Sequence, residues 1–258
     1  MCLILLAWQA HPEYPLVVAA NRDEFLVRPT AAAAAWPDAP DVIGGRDLEA
    51  GGTWLGVTTT GRFAAVTNVR EPGRPTGVRS RGHLTRDFLR ATSSAGDYLT
   101  AIDGQAYAGF NLLLCDGQEL WYGSNRGDPA RQLSPGVYGL SNHLLDTPWP
   151  KLASAKTRFT QLLPALPEKN DLFALLADDE IVADALLPAT GVSLEWERRL
   201  SAIFVRSPDY GTRAASVVLI AADGSGTLHE RSFGAEGVAM NEVKIDFNGR
   251  TATADKTP

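Results

Sequence analysis

Cys2-Leu3-Ile4-Leu5-Leu6-Ala7-Trp8 and Leu16-Val17-Val18-Ala19-Ala20 are two apolar runs separated by His11-Pro12-Glu13-Tyr14-Pro15. The second run passes directly into Asn21-Arg22-Asp23-Glu24. Two short apolar runs joined by a proline-bearing polar turn predict a β-hairpin. Its open end then carries Cys2 on one strand and the Asn-Arg-Asp-Glu segment on the other. If Met1 is removed, Cys2 holds a thiol and a free α-amine on one carbon, a nucleophile and its base in a single residue. The two groups have reference pKa values of about 8.5 and about 8, so a modest field moves the proton from sulfur to nitrogen. The competing reading is a cysteine buried in a core strand, where this residue type is common.

Working outward, the remaining segments predict further hairpins. Trp54–Thr59 and Phe63–Val69 flank Thr60-Gly61-Arg62, and Phe110–Cys115 and Leu120–Gly123 flank Asp116-Gly117. Ala215–Ile220 and Thr227–Phe233 flank Asp223-Gly224-Ser225-Gly226, and Val137–His143 reads as a lone strand. Helical spacing appears over Ser80–Leu99, over a segment opened by Pro148-Trp149-Pro150 and closed by Pro164, and over Asp171–Ala177. Residues 28–52, rich in Ala, Pro, Gly and Asp, predict an irregular excursion over a pocket, and Ala31–Ala35 is a helix-competent run too short to stand alone. Cys115 lies in an apolar strand and reads as an inert core thiol. The expected class is α+β, antiparallel sheets with helices packed outside, in one domain over residues 1–245 with a disordered tail over 246–258.

Composition narrows the function. A net charge of −6 and a pI near 5.3 argue against nucleic acid or an anionic membrane as partner. Two cysteines make no disulfide framework, and no Cys/His cluster has zinc spacing. No apolar stretch approaches the roughly 20 residues of a membrane span, so no stable membrane insertion and a cytoplasmic location are expected. Within the polar segment, Asp23 can orient an ammonium and Arg22 can clamp a carboxylate or phosphate. Asn21, Arg22, Glu24 and, from the Arg-rich loop that follows Val69, Arg70 are the candidate substrate-binding residues.

Several motifs in order resemble the NRDE family, whose eukaryotic members are called transport and Golgi organisation protein 2. They are Met1-Cys2, Ala20 to Phe25, Gly52 to Gly56, Thr67-Asn68-Val69-Arg70, Leu140-Ser141-Asn142, Pro148 to Lys151 and Tyr210-Gly211-Thr212-Arg213. That family is similar in turn to the N-terminal-nucleophile hydrolases, the choloylglycine hydrolase and penicillin V acylase group above all. The resemblance implies a four-layer αββα sandwich. It also implies Cys2 as nucleophile, Asp23 holding the amine, Asn68 and Asn142 as oxyanion donors, and Arg213 as a late active-site arginine. One departure is plain: the group has an arginine three residues before its aspartate, and Ala20 stands there.

Two functions follow as expectations. One is hydrolysis of a non-peptide linear amide or an acyl thioester through Cys2, with no cofactor required. The other is a non-catalytic protein binding or trafficking haem or acyl-CoA on the same fold. An axial ligand would then come from Cys2 or from His11, His83, His143 or His229.

Overall fold

The computed structural model describes residues 2–74 and 77–249. Strands β1 (Cys2–Trp8) and β2 (Leu16–Phe25) form the expected hairpin, with Cys2 opposite Arg22 and Trp8 opposite Leu16. The chain continues through β3 (Thr30–Trp36), β4 (Ala39–Asp47), β5 (Leu55–Thr58) and β6 (Phe63–Asn68). Helices α1 (Gly82–Arg90) and α2 (Ala95–Thr100) precede β7 (Phe110–Cys115), β8 (Leu120–Ser124), β9 (Arg131–Gln132) and β10 (Gly136–Leu140). Then come α3 (Pro150–Leu162), α4 (Asn170–Leu176), α5 (Leu194–Arg199), β11 (Tyr210–Ile220), β12 (Ser225–Phe233) and β13 (Ala239–Asn248).

The strands make two antiparallel sheets, ordered β10-β1-β2-β11-β12-β13 and β3-β4-β5-β6-β7-β8-β9. Strand alternation sorts β1 and β2 onto two buried faces. Ile4, Leu6, Trp8, Val18 and Ala20 meet the second sheet, where Ile43, Val57, Phe63 and Leu113 complete the inner core. Leu3, Leu5, Ala7, Val17 and Ala19 face Leu152, Ala155 and Phe159 of α3 and Leu172 and Leu176 of α4. Burial on both faces is why these strands read as continuous apolar runs rather than as an alternation. On the far side of the second sheet, Leu84, Phe88 and Leu89 of α1 and Ala95 and Leu99 of α2 cover Ala64, Val66, Leu112 and Leu114. The order helices, sheet, sheet, helices is the four-layer α+β sandwich. Among the described residues no helix is long and apolar enough to cross a membrane.

Two expectations are corrected. Residues 28–52 are mostly strand, not an irregular excursion, because β3 and β4 pair as an edge hairpin of the second sheet. The alanine run adopts β structure because its backbone gains partners there, including Glu230, whose Oε1 accepts from the Ala33 N–H at 2.8 Å. Tertiary pairing outweighs a helix preference worth a few tenths of a kcal/mol per residue. Residues 246–248 are also strand rather than disordered. β13 runs to Asn248 on the outer edge of the first sheet, with Phe247 buried in the inner core. The part of the tail over residues 250–258 lies outside the described residues.

Candidate active site

The first sheet brings Cys2 and Asp23 together because β1, β2 and β11 end side by side. Cys2 opposes Arg22 across β1 and β2, and Asp23 opposes Thr212 across β2 and β11. Cys2 is 8% exposed, and its open side faces a cavity of about 830 Å³. That volume suits a drug-sized ligand. Arg22, Asp23, Glu24, Trp54, Asn68 and Tyr210 share the lining with it.

The Cys2 nitrogen donates to Asn142 Oδ1 at 3.1 Å, and its carbonyl accepts from Ser141 Oγ at 3.0 Å. Asn142 Nδ2 donates to Asn68 Oδ1 at 2.7 Å and to the Asn68 carbonyl at 3.1 Å. The two asparagines therefore divide the work. Asn142 is fully buried and grips the nitrogen of Cys2, whereas Asn68 reaches the cavity. Asn68 comes from the end of β6 and Asn142 from just beyond β10, so one residue from each sheet closes this corner.

Burial pushes the Cys2 thiol above its ordinary pKa, while Arg22 and the Asp23 backbone N–H pull it the other way. The resting group is a neutral thiol that needs a base. Burial also raises the Asp23 carboxyl, against the pull of Lys151 and a 2.7 Å hydrogen bond from Thr212 Oγ1. Ala20 carries no charge here, but Arg22 lies two residues on and on the same face as Cys2. This strand thus still presents a guanidinium to the cavity that Cys2 lines, and its charge favours the thiolate. Arg22 donates to Thr30 Oγ1 and sits 3.7 Å from Glu24.

Other expected site residues are placed elsewhere or otherwise engaged. Asn21 is fully buried on the helix side and donates to the carbonyls of Leu176 and Ile203, fastening β2 to the helical layer. Arg70 does not line the cavity. It pairs with buried Glu197 at 2.8 Å and lies over Trp149, its guanidinium 4.7 Å from the ring centre. Arg213 lines the cavity, but at the register break between Thr212 and Ala214, where a strand irregularity turns it aside. Its Nη1 donates to the carbonyls of Phe25, Leu26 and Arg28, which pins the β2–β3 turn. No histidine lines the cavity: His11 accepts from the Glu13 and Tyr14 amides, His83 meets the Ala50 carbonyl, His143 meets Thr147 and His229 meets Glu242. The histidines do not fit an axial-ligand role there. Cys115 is sealed, its thiol pushed up to about 12 by burial, as an inert core thiol should be.

Sequence reasoning missed two cations. Arg81, at the start of α1, lines the cavity. Lys151, the second residue of α3, lies buried behind Asp23, its Nζ donating to the Leu200 carbonyl at 2.7 Å and the Ala202 carbonyl at 3.3 Å. The sequence places Lys151 in the Pro148 to Lys151 motif and beside Leu152 at the start of α3, but assigns it no role. Burial lowers the lysine to about 8, against the pull of Asp23. An unfolded lysine keeps its proton to about 10.4. Between those values the unfolded chain binds more protons, so stability rises with pH. We expect the urea midpoint to climb from about pH 8 to about pH 10 relative to Lys151→Met, and a constant difference between the two proteins contradicts it.

Comparison with known proteins places this geometry. Residues 1–235 match the family described as Transport and Golgi organisation 2. The transport and Golgi organization protein 2 homolog of Bos taurus is 40% identical over 258 residues, covering 90% of this chain and 93% of that protein. The Homo sapiens homolog is 38% identical with the same coverage, and the Drosophila melanogaster protein is 28% identical, covering 89% and 90%. Among solved structures, a C2A mutant of the conjugated bile acid hydrolase from Clostridium perfringens has a similar fold. Its TM-score is 0.50 at 10% identity, covering 95% of this chain and 92% of that one.

Proposed function

The chain belongs to the Transport and Golgi organisation 2 family, and on that footing we propose that it is an N-terminal-nucleophile hydrolase of non-peptide linear amides or acyl thioesters. One observation carries the reading: Cys2, Asp23 and Asn68 line one open cavity, and buried Asn142 holds both the Cys2 nitrogen and Asn68. The fold shared with a bile acid hydrolase in which position 2 was mutated supports it.

With Met1 removed, the Cys2 nitrogen is an α-amine held by Asn142. It takes the thiol proton as sulfur attacks the acyl carbon, forming a C–S bond and a tetrahedral oxyanion. Asn68 lines the cavity, and in this reading its amide nitrogen donates to that oxyanion. A preorganised donor of this kind contributes about 3–4 kcal/mol. The amine then returns the proton to the leaving nitrogen or sulfur as the old bond breaks, leaving a Cys2 thioester. Water, deprotonated by the same amine, releases the acid and restores the thiol.

The test is intact-mass measurement of the purified protein, then of protein quenched in acid during turnover of an acyl-amide and acyl-thioester panel. We expect loss of Met1 and an acyl group on the N-terminal peptide. Turnover by a Met1-bearing protein, or with no acyl group at Cys2, overturns the reading. The alternative, a carrier of haem or acyl-CoA, predicts tight retention of ligand with no acyl-enzyme. It draws no support from the histidines.

A further inference from the structure

Among the described residues six arginines line the cavity, and five are already engaged. Arg22 is held by Thr30 and Glu24, Arg28 by Asp47 and Glu49, Arg46 by Asp38, Arg79 by Asp87 at 3.5 Å, and Arg213 by three carbonyls. Arg81 differs. Its guanidinium makes one hydrogen bond, from Nη1 to the Gly109 carbonyl at 3.3 Å, and no carboxylate lies within salt-bridge distance among the described residues. Arg81 is half-buried and is itself one of the residues that line the cavity.

The fold fixes this side chain in place. A Cβ added at Gly52 would lie 2.4 Å from the Gly82 backbone, so the loop after β4 and the start of α1 touch directly. The Thr53 N–H donates to the Gly82 carbonyl at 3.2 Å, and Thr85 Oγ1 donates to the same carbonyl at 2.9 Å. Two glycines and two threonines therefore clamp the residue next to Arg81. Burial weakens the hold of Arg81 on its proton, and the fields of Cys2, Glu24 and Glu71 oppose this.

We propose that Arg81 is a carboxylate-binding residue of the cavity, so that the substrate is an acyl derivative carrying a single negative charge close to its scissile bond. This rests on the hydrolase reading only in placing that charge relative to Cys2. One uncommitted guanidinium matches one carboxylate in a fork-to-fork pair. A dianion fits poorly, because Glu24, Asp47 and Glu49 share the same lining. Phe25, Val78 and Met240, exposed at the same cavity, give the apolar part of such a substrate a surface to lie on.

Hexanoate and hexanamide are isosteres that differ in charge, and their binding to the wild-type protein at low salt can be followed by calorimetry and ligand-observed NMR. Hexanoate should bind at least tenfold tighter. Arg81→Gln should erase the preference, and Arg81→Lys should keep part of it, with circular dichroism confirming that each variant folds. Equal affinity of the two ligands for wild type overturns the proposal, whatever the variants do. A preference that survives in Arg81→Gln overturns it too. If that variant instead slows iodoacetamide alkylation of Cys2, Arg81 acts on the thiol. None of these readouts needs an acyl-enzyme, so failure of the hydrolase reading is seen separately.

Discussion

Cys2→Ala folds normally and loses turnover of its acyl substrate by at least about 10³-fold, the scale on which removal of a covalent nucleophile acts. The fold should tolerate the change because the Cys2 side chain borders a cavity, and alanine retains the backbone bonds to Asn142 and Ser141. The expected stability cost is about 1 kcal/mol, at the small end for a buried truncation. Activity is another matter, since no second thiol is near: Cys115 is sealed in β7 with its own thiol pushed up to about 12. Cys2→Ser is the sharper control. It keeps the shape and the amine but replaces the thiol with a hydroxyl that ionises much less readily, so it should lie far below wild type. Steady-state turnover together with the N-terminal acyl mass decides the matter. Equal rates in wild type and Cys2→Ala would remove the catalytic account.

Arg70→Ala should destabilise the protein by about 3–5 kcal/mol, the cost of leaving a buried charge without its partner. The charge left behind is Glu197, 6% exposed at the side chain. Glu197 accepts from Arg70 Nη1 at 2.8 Å, from the Thr190 N–H at 2.8 Å and from Thr190 Oγ1 at 2.5 Å. The threonine bonds remain in the mutant but carry no positive charge. Contact with the Trp149 ring is lost as well. Because a buried ion pair seldom outperforms a well-packed apolar pair, Arg70→Met combined with Glu197→Leu should recover most of the loss. Urea unfolding of the two single variants and the double variant measures this directly. A loss under about 1 kcal/mol in Arg70→Ala would show that the pair is solvated. The same variant should bind cavity ligands like wild type at a temperature where it stays folded, because Arg70 does not line the cavity.

Arg70 shows where sequence reading stops. It stands two residues after Asn68, in a loop loaded with arginines, and charge patterning could not tell a ligand-binding arginine from a structural one. The difference is made by Glu197, 127 positions away. Arg213 fails for a related reason: its place in the Tyr-Gly-Thr-Arg motif was legible, but the register break that turns its guanidinium onto the β2–β3 turn was not. Arg70 is singled out from the Arg-rich loop and Arg81 is not, because nothing in the chain ranks one of these arginines above another. The alanine run of β3 and the late strand β13 were misread because edge strands take their conformation from the neighbour they pair with, and that neighbour is distant in sequence.

By itself the sequence determined the β1–β2 hairpin, and hence that its open end carries Cys2 on one strand and the Asn-Arg-Asp-Glu segment on the other. Two apolar runs adjacent in sequence and joined by a proline-bearing polar turn are a local signal. It also determined the helical layer opened by Pro150 and the class of the fold. Only the tertiary structure decided which polar residues share the cavity with Cys2, which are spent fastening layers together, and which arginine is left uncommitted. Those outcomes depend on desolvation and on partners brought together across the two sheets, and neither is written in the spacing of a single strand.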